Sequence, residues 1–271
     1  MRVDVIFTTY NQPLWLEKTL WGFAHQTHRD FRILIADDGS GSDTADTVER
    51  MRGETGLEIE HVWHEDDGFR KCAIMNRALE QATASYVVFT DGDCIPRSDF
   101  LEAHVRLSAP SRYLSGGLLR LTQEVSDGID RADVDSGRAF DPRWLRAQGQ
   151  PSRKLVKLKL GPSMAALYDL CSPTNTTWNG HNASCWTEAL LAANGFDERM
   201  AYGAEDCELG ERLRNAGYRG KRIRHRAITV HLEHARGYVD QAAWDRNNAM
   251  RAHSRRSGAV RTPCGIERKD D

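Results

Sequence analysis

Four short apolar runs, at residues 3–8, 31–36, 57–63 and 86–90, alternate with segments of helical spacing, and this alternation constrains the fold more than any other feature. Each run reads as a strand. Asn11-Gln12-Pro13 opens the first helix, since proline suits a first turn, and Leu16, Leu20, Phe23 and Ala24 then recur at helical spacing. Residues 37–43 form a turn-rich loop in which Ser42 or Asp43 is placed to cap the next helix. Residues 71–82 read as a third helix, with Ala78 and Leu79 on its apolar side. The βαβαβαβ order predicts a doubly wound, largely parallel sheet covered on both faces by helices. Ligands of such sheets bind outside the carboxyl ends of the strands. Three polar or acidic loops leave those ends, at residues 8–11, 37–40 and 91–93.

The second half is less regular. Residues 113–121 read as one strand, and residues 123–180 as loops with short helices, a long irregular span of the kind that often carries function. Residues 186–193 read as a helix stopped by Asn194-Gly195, and 207–216 as one stopped by Gly217. A strand is expected at 223–232 and a helix at 240–254, followed by a fraying basic tail (Arg251, Arg255, Arg256, Arg261, Arg268, Lys269).

A chain of 271 residues suits one large α/β domain, or one domain with an appendage. A net charge of -2 gives no general argument for nucleic acid. The first residues enter a strand pattern at once, with no secretory signal, and no apolar stretch approaches the roughly 20 residues that span a bilayer. A cytoplasmic protein is expected. The six cysteines contain no C-x-x-C pair and read as free thiols rather than a disulfide frame or zinc site.

Asp91-Gly92-Asp93-Cys94 closes the fourth run. Asp-Gly is also a common turn pair, but two closely spaced carboxylates at a sheet edge need a counter-charge. A divalent metal carrying a diphosphate meets that need, because hard cations take oxygen ligands and few carboxylates leave room for phosphate oxygens.

With three further segments this motif carries a resemblance. "VIFTTYNQPLWLEKTLWGFAHQT", "DFRILIADDGSGSDT", "SYVVFTDGDCIP" and "GFDERMAYGAEDCELGERLRNAGY" stand in the order and spacing of family 2 glycosyltransferases of the GT-A fold. The last segment also resembles a galactosyltransferase-type C-terminal module. The resemblance covers roughly residues 3–235, weakest between 123 and 178. It implies a nucleotide-sugar-binding half at 1–122, an acceptor-binding and catalytic half at 123–235, and a C-terminal helix with basic tail at 236–271.

The resemblance implies that Asp93 ligates Mn²⁺ or Mg²⁺, while Asp91 reaches the ribose or a metal-bound water. Gly92 would let the backbone approach the nucleotide. Thr8, Tyr10 and Asp38 are expected to hold the base, with Tyr10 stacked on a pyrimidine and a carboxylate accepting its imide proton. That preference points to uracil, and so to a UDP-sugar; Asp37 is the alternative to Asp38. Arg70 or Lys71 would pair with a phosphate near a helix start, although a solvated charge run fits them equally. Asp206 is implied as the general base that deprotonates the acceptor, and Glu205 as the group that orients it. Acids at a helix N-terminus are also favourable in themselves. The segment 179–184 would face the donor sugar, with Asn182 or His181 bonding its hydroxyls. His231 is expected to complete the metal site, ahead of His234 and His225.

A single displacement inverts the anomeric centre. Gln241-Ala242-Ala243-Trp244-Asp245-Arg246 stands where many membrane-bound polymerising relatives carry Q-x-x-R-W, which favours transfer of a single hexose-type sugar. The expected acceptor is a saccharide or glycolipid, in lipopolysaccharide or capsule assembly. Trp144, Tyr168 and Trp178 could stack on its rings, although core packing explains them equally. The basic tail offers peripheral contact with an anionic membrane surface, at about 1 kcal/mol per basic residue. Two rival readings are a nucleotidyltransferase, which would want a Gly-rich basic signature after the first strand where Thr8-Thr9-Tyr10-Asn11 stands, and a non-catalytic nucleotide-sugar-binding module, which would be expected to lose the base.

Overall fold

The computed structural model describes residues 1–173, 175–234 and 240–267. Strands β1 (Val3–Thr9), β2 (Phe31–Asp37), β3 (Ile59–Trp63) and β4 (Tyr86–Asp91) lie parallel in the order β3-β2-β1-β4. Helices α1 (Pro13–Ala24), α2 (Ser42–Thr55) and α3 (Lys71–Glu80) connect them. Side chains of β1 alternate between two cores. Val3, Val5 and Phe7 meet Leu16, Leu20 and Phe23 of α1 with Val48 and Met51 of α2, while Ile6 joins Ile74, Ala78 and Leu79 of α3 on the other face. Register levels the strand ends: Thr8 pairs with Ala36 on one side and Asp91 on the other.

α2 departs from the expected capping. Ser42 and Asp43 already lie inside its first turn, and Gly41 holds the cap position. The Gly41 N–H is satisfied by Asn11 Oδ1 at 3.0 Å, which ties the first two loops together.

Beyond β5 (Cys94–Pro96), the predicted strand at 113–121 is two strands, β6 (Arg112–Ser115) and β7 (Gly117–Arg120). β8 (Asn182–Trp186) runs antiparallel to both β4 and β6 and occupies the place expected to be loop and helix start. β9 (Arg219–Arg222) extends the large sheet to β3-β2-β1-β4-β8-β6-β9, and β10 (Ile228–His231) joins β5 and β7 in a second sheet. The long strand expected at 223–232 is therefore only its last few residues.

The break between β6 and β7 has a distant cause. A Cβ on Gly116 would lie 1.9 Å from Asn182 Oδ1. The buried Asn182 amide donates to Gly117 O at 3.0 Å and Ala227 O at 3.1 Å, and its Oδ1 accepts from His104 Nε2 at 3.0 Å. His104 Nδ1 lies 2.7 Å from Ser184 Oγ, which lies 2.8 Å from Tyr86 Oη. Burial pushes His104 down to about 4, so the ring is neutral. A neutral ring donates from one nitrogen and accepts at the other, as this chain of bonds requires. Asn182 thus fastens the two sheets together.

Residues 123–171 form successive short helices over a third core that includes Leu119, Val125, Leu145, Leu155 and Val230. Asp240 caps the helix Gln241–Ser257 by accepting from the N–H groups of Ala242 and Ala243. The chain after it does not fray as expected: Asn194 Nδ2 donates to Thr262 O at 2.9 Å and Glu267 O at 2.8 Å. Arg268 and Lys269 lie outside the described residues. Among the described residues, no helix is long and apolar enough to cross a membrane, and the six cysteines are free thiols.

Candidate active site

A cleft of about 630 Å³ opens at the carboxyl ends of β1, β2 and β4. At its floor, Asp91 Oδ1 accepts from Thr8 Oγ1 at 3.3 Å and from Lys71 Nζ at 3.1 Å. Burial works against the charge of Lys71, but Asp91, Glu205 and Asp206 outweigh it and hold the ammonium well above its ordinary range. Gly92 has a structural reason beyond the expected nucleotide approach. Its N–H donates to Thr8 O at 2.9 Å, and a Cβ would lie 2.7 Å from that oxygen.

The next residue of the turn faces β10. Asp93 Oδ2 accepts from His234 Nε2 at 2.8 Å and lies 3.4 Å from His231 Nε2. Asp93, His231 and His234 each offer a ligand atom, all within 4.8 Å of one another. Burial opposes the charge on Asp93, but His234 and His231 override it and bring the carboxyl down to about 2. Burial and the Asp93 charge hold the Cys94 thiol well above its ordinary value, and it donates to Asp93 Oδ1 at 3.3 Å. One carboxylate with two imidazoles fits a divalent cation, and the imidazoles suit Mn²⁺ better than Mg²⁺.

One wall comes from the loops after β1, β2 and β3. Tyr10, about half exposed at 48%, donates from its hydroxyl to Asp66 Oδ2 at 2.9 Å. Asp38 Oδ1 accepts from His64 Nε2 at 2.7 Å and Oδ2 from the Arg70 N–H at 3.0 Å. Burial raises the Asp38 carboxyl, and these two donors offset part of the rise. Gly39 adopts φ +95°, and a Cβ there would lie 2.5 Å from Asp66 Cα, so only glycine lets these loops meet.

Opposite stands the helix Glu205–Asn215. Asp206 Oδ2 accepts from the Gly180 N–H at 3.0 Å and Oδ1 from the Cys207 N–H at 2.6 Å. Glu205 Oε2 accepts from the Gly203 N–H at 2.8 Å. Burial first, then the Asp206 charge, push Glu205 up to about 7 against the pull of Lys71. Ala204 precedes the helix with φ +63°, a conformation that needs support in a residue with a side chain. That support comes from the C-terminal helix: Asn247 Nδ2 donates to Ala201 O at 2.9 Å and Gly203 O at 2.7 Å, and Trp244 packs where a Cβ on Gly203 would fall.

Of the expected residues, Thr8, Tyr10, Asp38, Lys71, Asp91, Gly92, Asp93, His181, Glu205, Asp206 and His231 line this one cleft. Burial holds His181 below its ordinary value. Five lie elsewhere. Asp37 is buried, bonding the Ser40 N–H and His61 at 2.8 Å each. Arg70 turns to Glu65 O at 2.6 Å. Asn182 is the bolt between the sheets, with no face to a sugar. His225 bonds Asp169 at 2.9 Å away from the cleft, and Trp178 is core beside Phe89. The cleft also takes in Arg120, Phe69 and Tyr202, to which the sequence assigned no role, although Tyr202 stands within the fourth resembling segment. Arg120 pairs in register with His231, and Phe69 meets Tyr202 edge to face at 6.2 Å, so both are products of long-range pairing.

The chain is similar to known proteins over much of its length. Residues 4–133 match the model of Glycosyl transferase family 2. Chondroitin synthase of Escherichia coli is 25% identical over 235 residues, which are 79% of this chain and 32% of that protein. Mannosyltransferase PcManGT from Pyrobaculum calidifontis, in complex with GDP-Man and Mn²⁺, has a TM-score of 0.59 and 22% identity over 88% of this chain and 58% of its own. S. aureus TarS 1-349 in complex with UDP-GlcNAc has a TM-score of 0.58 and 18% identity over 88% of this chain and 60% of its own. The likeness to these structures shows the GT-A fold. This chain spans between 23% and 52% of the length of the first curated relatives it matches. The family match and the relatives support a family 2 glycosyltransferase. The family match ends at residue 133, so the galactosyltransferase-type likeness of the later segment is not part of it.

Proposed function

We propose that this chain is a metal-dependent, inverting glycosyltransferase that moves one hexose-type sugar from a UDP-sugar to a saccharide or glycolipid acceptor in surface-glycan assembly. The observation that carries the reading is the meeting of three groups in one cleft: Thr8, Tyr10 and Asp38 at one end, Asp93 with His231 and His234 at its floor, and Glu205-Asp206 opposite. A non-catalytic binding module has no use for the third. The ligands of two structural neighbours, GDP-Man with Mn²⁺ and UDP-GlcNAc, support a nucleotide-sugar donor and a metal.

In this reading Tyr10 stacks on the uracil ring and Asp38, held by His64, accepts the imide proton. Asp91 takes the ribose. Asp93, His231 and His234 would hold the cation, which when bound supplies Lewis-acid charge to the leaving diphosphate. Asp206 keeps one lone pair of each oxygen on a backbone N–H and turns the others to the cleft. Asp206 takes the acceptor proton as the acceptor oxygen bonds the anomeric carbon, and the breaking bond leaves its electron pair on UDP. Attack opposite the leaving group inverts the centre. Lys71 holds Asp91 and moderates the charge of Glu205, which orients the acceptor. Peripheral contact with an anionic membrane surface belongs to this proposal.

The test is UDP release from UDP-glucose, UDP-galactose and their N-acetyl forms, with Mn²⁺ and with and without acceptor glycans. Acceptor-stimulated release that EDTA abolishes is expected. Release indifferent to EDTA would overturn the metal claim, and none with any UDP-sugar would overturn the donor class.

A further inference from the structure

The helix Pro162–Cys171 is amphipathic in the opposite sense to a helix packed on a core. Its packed positions are Ala165 and Asp169. Asp169 accepts from the His225 N–H at 2.9 Å and from Arg226 Nε at 2.7 Å, so the helix turns its acid inward. Met164, Leu167, Tyr168 and Leu170 face outward, Leu170 at 76% exposure. Val156, from the preceding turn, is exposed as well. Soluble surfaces rarely gather apolar side chains in this way without a partner.

Charge says which partner fits. Across residues 151–172 the sole acid is Asp169, while Arg153, Lys154, Lys157 and Lys159 are basic. Arg153 and Lys159 are exposed, and Arg153 lines a cavity together with Val156 and Tyr168 of the apolar face. A second copy of this chain would bring two such basic margins together in a symmetric contact, which like charges oppose. An apolar helix face with a basic margin and no outward acid instead suits anionic lipid headgroups.

We propose that Val156 and the outer face of Pro162–Cys171 form a docking surface for an anionic membrane, with Arg153 and Lys159 against the headgroups. The surface borders the active cleft. A second cavity of about 380 Å³, lined by Val156 and Tyr168, shares Leu118 and Arg120 with the main one. Docking here sets the mouth of the cleft at headgroup level, where a glycolipid presents its sugar. The basic arginines of the C-terminal helix, Arg255 and Arg256, carry no such apolar face.

The test is co-sedimentation of the full chain, without donor, on vesicles of phosphatidylcholine alone and of equimolar phosphatidylcholine and phosphatidylglycerol. Binding at least about tenfold stronger to the anionic vesicles, weakened by salt, is expected. Leu167→Glu with Leu170→Glu should lower it by about tenfold or more, as should Arg153→Glu with Lys159→Glu. Arg255→Glu with Arg256→Glu should leave it unchanged, and UDP release from a soluble donor should be unchanged in every variant. Wild-type indifference to anionic lipid, full binding by the Leu167/Leu170 variant, or a dimer that the same variant dissolves would overturn the proposal. Because the binding assay needs no donor, its failure is distinct from failure of the glycosyltransferase reading.

Discussion

His234 Nε2 lies 2.8 Å from Asp93 Oδ2, closer than the 3.4 Å of His231. The histidine placed second by the sequence therefore sits nearer the carboxylate than the first. Both imidazoles belong to the proposed metal set. Mn²⁺ at a hundred times its Kd should raise stability by about 2.7 kcal/mol. Thermal unfolding should show this rise in the wild type and lose it in Asp93→Asn and in His234→Ala. An undiminished rise in His234→Ala would remove that residue from the set.

Glu205 makes stability depend on pH in a defined direction. Its carboxyl stands at about 7 in the fold, against an ordinary glutamate value of 4.5. The folded state binds the proton more tightly, so the stability this group contributes is complete below 4.5 and is lost as pH rises through 7. The loss above pH 7 is on the order of 3 kcal/mol, at about 1.4 kcal/mol per unit. Glu205→Gln should therefore be more stable than wild type in urea at pH 8, with a smaller difference at pH 5, while transferring sugar more slowly. A pH-independent difference would contradict the assignment.

Lys71 is the cation shared by Asp91, Glu205 and Asp206. Lys71→Met should push the Glu205 carboxyl above its value of about 7 and displace the pH profile of transfer to the alkaline side. It should also lower kcat by about tenfold or more, as loss of a preorganised charge does. A profile that keeps its wild-type position would show that Lys71 does not govern Glu205.

The first four strands and three helices were legible because each is specified by local periodicity and turn chemistry. The loops after β1, β2 and β4 followed from topology alone, and so did the meeting of Thr8, Tyr10, Asp38 and Asp91. What escaped is set by distant partners. β8 reads Asn-Ala-Ser-Cys-Trp, an alternation of small and polar residues too short and too weakly apolar to mark a strand, yet it lies inside the large sheet between β4 and β6. At the β6–β7 break Asn182 leaves no room for a side chain on Gly116, and the Arg224 backbone leaves none on Gly117, contacts that the local sequence does not show. The role of the C-terminal helix was equally hidden, since Asn247 and Trp244 act on a loop some forty residues earlier in the chain.

Gly116→Ala tests that junction. The added methyl meets an amide whose every bond is in use, so the variant should lose at least about 2 kcal/mol in urea unfolding. The displaced Asn182 should also disturb the neighbouring His181 and weaken donor binding. Wild-type stability would mean that the β6–β7 break does not depend on Asn182.

The most direct test of the central claim is acceptor-dependent UDP release by Asp206→Asn. The substitution keeps the shape of the side chain and removes its capacity to take a proton. Transfer should fall by about 10²- to 10⁴-fold, while the thermal shift produced by UDP with Mn²⁺ stays at the wild-type value. Transfer at the wild-type rate would show that Asp206 is not the base.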